Sequence, residues 1–134
     1  MIDKNELVPT SKEDIEFIQK LKLQTIENVK EIVPELLEWL QDGNWPQAHL
    51  IADYIRPHMN YCENEIIDIL NTDDSMWKYW VMKGIILKSS IAPTRNIIDI
   101  LKRIYETPTL DEKESEVDIV AYDIMTKFRD SADL

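Results

Sequence analysis

A five-residue pattern of apolar and acidic positions occurs three times along the chain. Residues 36–40 read LLEWL, and residues 66–70 and 97–101 both read IIDIL, with starts 30 and 31 residues apart. In each copy, apolar residues occupy the first, second, fourth and fifth positions, and an acid occupies the third. On an α-helix this spacing makes one broad apolar face, with the acid on the opposite side. The pattern therefore predicts three similar helices, each with one buried face.

The distance between the copies predicts how these helices are arranged. A period of this length is typical of stacked helical repeats, in which no unit can bury its apolar face alone. No segment alternates between apolar and polar residues with a period of two, so we expect no strand. We therefore predict an all-α fold, a short right-handed solenoid of about three antiparallel helix pairs (HEAT-like or armadillo-like) plus an N-terminal helix.

Capping residues and prolines predict where the helices begin. Residues 1–11 are polar and are expected to form a flexible lead-in to a single domain over residues 12–134. Ser11 and Asp14 form an S-x-x-D cap, after which a first helix would bury Ile15, Ile18 and Leu21. We also expect caps at Thr25 and Asn44 and a helix start at Pro34.

The later helices are predicted from their apolar spacing. One of them is expected to carry an inward face formed by Met76, Trp77, Trp80, Val81, Gly84 and Ile85, with close packing around Gly84. The last helix is expected to run unbroken over roughly residues 111–128.

Charge is distributed unevenly and suggests a class of partner. The net charge is −11, yet residues 78–103 carry six bases and one acid. Residues 30–74 carry ten acids and two bases, and residues 106–134 carry nine acids and three bases. An overall acidic chain repels phosphate, which disfavours extended nucleic acid as a partner. The alternatives are a merely solubilising surface or electrostatic steering of a charged partner.

The rarest residue types exclude several classes of site. Only two glycines occur, so Gly-rich loops that hold phosphate are excluded. Cys62 is the one cysteine, which rules out an internal disulfide and fits a reducing compartment. Cys62 and His58 make half a metal site at most, and we predict no metal or cofactor. No apolar run reaches the ~18 residues of a membrane span, and the polar N-terminus is not typical of a signal peptide, so we expect a cytoplasmic protein without a membrane partner.

Two sequence boxes carry a resemblance to a known family. Residues 34–48 read PELLEWLQDGNWPQA and residues 73–80 read DDSMWKYW. With these boxes, the chain resembles a small, largely bacterial domain family of unknown function with a helical-repeat fold, over roughly residues 12–128. The resemblance implies that fold, but it implies no activity, because the family has no agreed biochemical role.

Tryptophans and turn acids supply the candidate site. Trp39 occupies a repeat position and is expected in the core, whereas Trp45, in a turn, either staples that turn or stands exposed as a binding anchor. The turn acids either cap helices or line an acidic edge, with Lys78 and Tyr79 facing outward beside it. The candidate partner-binding residues are Asp42, Asn44, Trp45, Asp73, Asp74, Trp77, Lys78, Tyr79 and Trp80; no catalytic residue is predicted.

These features favour a non-catalytic protein-binding module over an enzyme. In its specific version, the module masks a basic partner, as an immunity or antitoxin-like protein does; the oligomeric state stays open. The alternative is a protein that binds a small anionic ligand between its second and third units, through Lys78, Lys83 and Arg95. A less favoured alternative is a HEAT-like DNA-modifying enzyme. Some HEAT-like DNA glycosylases use tryptophans and an aspartate on a basic surface. This chain has tryptophans and aspartates but lacks that basic surface.

Overall fold

The computed structural model describes residues 4–129, and over that range the chain is helical and contains no strand. The all-α prediction is therefore confirmed. The α-helices are α1 Phe17–Leu21, α2 Ile26–Val29, α3 Val33–Glu38, α4 Pro46–Ile55, α5 Glu63–Leu70, α6 Ser75–Val81, α7 Arg95–Glu106, α8 Leu110–Glu114 and α9 Val117–Lys127. Short 3₁₀ helices occupy Lys4–Leu7, Lys30–Ile32, Trp39–Gln41 and Arg56–His58, and a π-helix at Met82–Ile86 continues α6. Not one helix in this range combines the length and apolar character that crossing a bilayer requires.

The three copies of the five-residue pattern build the core. Their apolar residues are buried or half-buried, and the acids at their centres, Glu38, Asp68 and Asp99, are exposed. Helix α3 contacts α4, α5 contacts α6 and α7, and α7 contacts α9. Fully burying one leucine or isoleucine side chain contributes about 1.5–3 kcal/mol, so the burial of these residues is a large favourable contribution to the free energy of folding.

Of the three predicted caps, the one at Thr25 is present, and those at Ser11 and Asn44 are not made as predicted. Thr25 accepts a hydrogen bond from the Asn28 amide at 3.4 Å, as predicted. The first helix begins at Phe17, because the Asp14 carboxylate accepts from the Phe17 amide, and Ile15 is 54% exposed rather than buried. Asn44 does not cap α4: Trp45 is the residue at that position, and no side-chain cap is made there. Asp14, three residues after Ser11, therefore takes the place of the expected first cap, and before α4 the Asp42 carboxylate accepts from the Asn44 backbone amide without capping the helix.

The two glycines have different structural roles. A Cβ on Gly43 would overlap the ring of Trp80, so only glycine lets α6 approach this turn. A Cβ on Gly84 would lie 3.6 Å from Ala52, an ordinary contact, so close packing does not explain Gly84. Gly84 lies within the π-helix, and its carbonyl accepts hydrogen bonds from Arg56 Nε at 3.1 Å and Nη2 at 2.8 Å. The side chain of Arg56 thus satisfies a carbonyl where the helix widens.

Three further expectations need correction. Leu7, within the expected flexible lead-in, is fully buried in the core, and residues 1–3 of that lead-in lie outside the described residues. The last helix is broken at residues 115–116, where Glu116 takes φ 63°, so α8 and α9 are separate. Met76, expected on the inward face of its helix, is 46% exposed. Trp77 and Trp80, which follow Met76 in the same helix, pack against the core as predicted.

Candidate functional site

A groove between α3 and α5, here called the Trp77 groove, combines apolar walls with carboxylates at its rim. Its volume is about 150 Å³. Leu37 and Ile69 belong to the two helices, and Trp77 reaches the groove from the start of α6. The other lining residues are Pro34, Glu38, Glu65, Asp68 and Thr72. The groove therefore offers an apolar floor at an acidic surface.

Trp77 is held in place by two hydrogen bonds. Its indole Nε1 donates to the carbonyl oxygen of Leu37 at 2.9 Å, across 40 residues of sequence. Its backbone amide donates to the Asp74 carboxylate at 3.0 Å, which makes Asp74 the N-cap of α6. The capping interpretation of Asp74 is therefore confirmed. Because the indole N–H is already satisfied, Trp77 presents an apolar ring rather than a donor to the groove.

Two carboxylates at the rim of the groove form no ion pair within the described part of the chain. Glu38 and Asp68 are exposed, and neither forms an ion pair with any residue between 4 and 129. The third carboxylate, Glu65, is only 12% exposed and lies 2.8 Å from the amine of Lys30. A cation entering the groove would meet two carboxylates that are not engaged in an ion pair. Apolar walls below these charges suit the aliphatic stem of a lysine or arginine side chain.

Lys78 does not face outward, as was predicted for this candidate residue. It is 3% exposed, and its amine donates to the Glu112 carboxylate at 2.8 Å. Arg103 donates to both oxygens of the same carboxylate at 2.6 and 2.9 Å, and the Thr109 amide donates at 2.8 Å. Burial alone raises the pKa of Glu112, but the hydrogen bonds from Arg103, Lys78 and Thr109 outweigh it and lower the pKa to about 2.

Glu112 is a residue that the sequence-based prediction missed, although a signal for it is present. Thr109 and Glu112 form a reciprocal capping box at the start of α8, a pattern readable as T-x-x-E. What the sequence could not show is that the same carboxylate is fully buried against Lys78. A cavity of about 320 Å³ lies here, lined also by Asp73. The two cations that line this cavity, Lys78 and Arg103, both bind Glu112. These ion pairs connect α6, α7 and α8, and they are here called the Glu112 latch.

Trp45 is half-buried and closes the turn before α4. Its ring meets that of Trp39 edge-on at 5.4 Å between centroids, and the Lys12 amine lies 5.2 Å from the Trp45 ring. In the same turn, the Asp42 carboxylate accepts from the amide of Asn44 at 2.9 Å. These contacts favour the interpretation of Trp45 as a staple.

Gln47, which was not predicted as important, joins this turn to the N-terminal segment. It is fully buried, and the two N–H groups of its Nε2 are shared among the carbonyl oxygens of Ser11, Lys12 and Asp14, which lie at 3.4, 2.9 and 2.6 Å. The segment before α1 is thereby tied to the start of α4. These hydrogen bonds fix the position of the segment, because a buried amide donor without an acceptor would lower the free energy of unfolding.

The predicted site residues do not form a single surface. Trp77 lines the groove described above, Asp73 and Lys78 line the cavity around Glu112, and Trp80 lines a third cavity. Tyr79 packs edge-on against Trp80, with 5.0 Å between ring centroids. Of the predicted set, Trp77 is the residue that places an apolar ring in a cavity whose rim carries carboxylates without an ion pair.

Cys62 and His58 do not form a reactive pair. Cys62 is fully buried, and burial raises the pKa of its thiol to about 11, so it is protonated at neutral pH. Its neighbour in sequence, His58, packs against the ring of Tyr54 instead. Between residues 4 and 129, no three His, Cys, Asp or Glu side chains group as metal ligands would.

Comparison with known families gives one match. Residues 7–125 match the family described as "Domain of unknown function (DUF5071)", and both sequence boxes lie within that range. No curated protein matches the chain. The expectation of a family without an assigned activity is thus confirmed.

Proposed function

Because the chain belongs to the DUF5071 family, whose description names no activity, we propose a function from the site itself: a non-catalytic module that binds a basic protein segment in the Trp77 groove. The observation that carries this proposal is the pair of unpaired rim carboxylates, Glu38 and Asp68, above an apolar floor. We propose that a lysine or arginine of the partner places its stem on Trp77 and its charge between the carboxylates.

The charge of the surrounding surface supports a basic partner. Residues 30–74, which contain both helices of the groove, carry ten acids and only two bases. One of those bases, Lys30, already pairs with Glu65, and the other, Arg56, pairs with Asp53 at 2.9 Å. A surface of one sign speeds association with the opposite sign and rejects like-charged partners. Nucleic acid is therefore not the proposed partner.

We further propose that the helix pairs stack as a short solenoid of the HEAT-like kind, which would make the groove a rigid platform. Hydrogen bonds across about one period of the sequence support this arrangement. Tyr54 donates to the Gln24 carbonyl 30 residues earlier, and Asn60 donates to the Ala92 carbonyl 32 residues later, at 2.9 and 3.0 Å. Such contacts lock each unit to the next.

In its specific version, the proposed role is that of a masking protein, which covers a basic surface of its partner in the way an immunity or antitoxin-like protein does. The size of the chain and its net charge of −11 support this version. We place this role in the cytoplasm, because a reducing compartment suits a single buried thiol, Cys62.

The test uses an extended peptide of alternating arginine and glycine and the same peptide with citrulline in place of arginine. Citrulline keeps the shape of arginine and removes its charge. Fluorescence anisotropy in physiological salt gives Kd for both peptides. We expect the arginine peptide to bind and the citrulline peptide to bind far more weakly. We expect Glu38→Gln/Asp68→Asn to weaken arginine binding by about 1–2 kcal/mol, or about five- to thirtyfold.

The matched control is Glu106→Gln/Glu114→Gln, which removes two exposed acids outside the groove and changes net charge equally. It should change Kd less than about twofold, because distant charges are screened at this ionic strength. Equal weakening by both double variants would show that net charge, not the groove, attracts the peptide. Equal binding of the arginine and citrulline peptides would also overturn the proposal.

A further inference from the structure

A second cavity, here called the Trp80 cavity, has the opposite charge from the Trp77 groove. It lies between α4 and the π-helix that follows α6, and its volume is about 150 Å³. Its walls are formed by apolar or small residues, namely Leu40, Gly43, Ala48, Ala52, Trp80 and Gly84. The other lining residues are His49, Lys83 and Lys88, and none of the described residues that line it is acidic. In a chain of net charge −11, a cavity whose charged lining residues are all lysines is a specific feature.

The geometry of the helices keeps this cavity open. The ring of Trp80 lies over Gly43, which has no side chain to push it away. In the lining of the cavity, Gly84 lies beside Ala52, and the missing Cβ would lie 3.6 Å from the Ala52 methyl group. That space is left empty even though alanine would fit it without a clash. The widened turn of the π-helix supplies both Gly84 and Lys83, and π-helical turns occur often at functional sites.

Lys83 and Lys88 supply the positive charge at the rim, and the carboxylates of Glu116 and Asp123 lie close enough to act on the charge of Lys83. Within residues 4–129, none of His49, Lys83 and Lys88 forms an ion pair. The Lys83 amine contacts the hydroxyl of Tyr79 at 2.9 Å, which orients it. That hydrogen bond, which is the largest cause, raises the pKa of Lys83, so the amine stays charged at neutral pH.

We propose that the Trp80 cavity binds a small carboxylate with a single aromatic ring. A cavity of this volume holds one ring of benzene size. The ring would lie against the indole of Trp80 and the alanine walls, where offset stacking and burial favour it. The carboxylate would lie at the rim, within reach of the amines of Lys83 and Lys88. The site is separate from the Trp77 groove, and either can hold its ligand without the other.

This site differs from the anion site that the sequence suggested. That site was expected between the second and third units and relied on Lys78, Lys83 and Arg95. Lys78 is instead buried against Glu112, and Arg95 pairs with Asp99 at 3.2 Å. Only Lys83 reaches a cavity that contains a tryptophan, and this cavity lies beside α4 of the first unit. The class of ligand stays the same, but the place and two of the three cations change.

The test is a titration with benzoate, followed by the ¹H–¹⁵N NMR signals of the Trp80 indole and the Gly84 amide. Benzamide, which has the same ring without the charge, is the matched ligand. We expect saturable shifts centred on Trp80 and Gly84 with benzoate, and at least fivefold weaker binding of benzamide. Shifts that do not saturate, shifts centred elsewhere, or equal affinity for the two ligands would overturn the proposal.

Variants separate the rim from the walls. Lys83→Gln/Lys88→Gln should weaken benzoate about five- to thirtyfold, whereas Lys102→Gln/Lys113→Gln, an equal charge change at exposed positions, should alter Kd less than about twofold. Gly84→Ala adds one methyl group inside the cavity and should weaken benzoate and benzamide alike. Equal weakening by the two lysine pairs, or unchanged binding in Gly84→Ala, would contradict the assigned place.

Discussion

Replacing Glu112 with glutamine tests the Glu112 latch between α6, α7 and α8. The wild-type carboxylate is fully buried and accepts hydrogen bonds from Lys78, Arg103 and the amide of Thr109. Glutamine keeps the shape but removes the charge, which leaves the 3%-exposed amine of Lys78 without a counter-charge. Breaking a buried pair by removing one partner costs about 3–5 kcal/mol. We expect a loss of free energy of unfolding of that order at pH 7.

The pH dependence gives an independent magnitude. The pKa of Glu112 is lowered from its ordinary 4.5 to about 2 in the folded protein. A lowered pKa stabilises the fold above the unfolded value, and that stability is lost as pH falls through the folded value. The difference corresponds to about 3 kcal/mol at pH 7 and to less than half of that at pH 3. The stability gap between wild type and Glu112→Gln should therefore shrink between about pH 4.5 and pH 2.

Urea unfolding followed by circular dichroism, at a series of pH values from 7 to 3, measures this gap directly. Lys78→Met/Glu112→Gln is the control, because it removes the buried cation together with its partner. We expect this double variant to be more stable than Glu112→Gln alone, since no buried charge is left unpaired. A gap below about 1 kcal/mol at pH 7, a gap that does not change with pH, or a less stable double variant would refute the reasoning.

Three further predictions follow from local contacts. Gly43→Ala should lower the unfolding free energy by about 1–3 kcal/mol because its Cβ overlaps Trp80, whereas Gly84→Ala should change it by less than about 1 kcal/mol; thermal melts of both variants decide this. Cys62 should not react with a thiol reagent at pH 8 in the folded protein and should react fully in urea, and fast reaction without denaturant would contradict its burial. Arg56→Met should cost about 1–3 kcal/mol in chemical unfolding, because the Gly84 carbonyl loses its charged donor; an unchanged midpoint would show that water replaces that donor.

Helix positions and their inward faces could be predicted because they depend on neighbours within one or two turns. Thr25 was recognised as a cap from its local pattern, and the central acids Glu38, Asp68 and Asp99 were correctly expected to point away from the core. The same reasoning failed where a competing cap lay nearby: Asp14 starts the first helix later and leaves Ile15 exposed. Local patterns give the existence of a helix more reliably than its first residue.

The sequence predicted which types of residue form the candidate site, but only part of its position in the fold. Acidic residues and Trp77 were expected to meet, but the carboxylates at the groove come from Glu38 and Asp68, on helix faces, rather than from the turns. Lys78 was expected to face outward because a lysine rarely lies inside a protein. Its partner Glu112 is 34 residues away, and no local pattern links the two.

The amino-acid sequence by itself determined the helical character of the chain, its repeated apolar face and its acidic charge, because each of these depends on residue type and on spacing along one helix. The tertiary structure alone decided which charges are neutralised. It buries Lys78 against Glu112 and leaves Glu38 and Asp68 unpaired beside Trp77. The physical reason is that the energy of a charge depends on its distance from other charges and from water, and those distances exist only when helices far apart in sequence pack together.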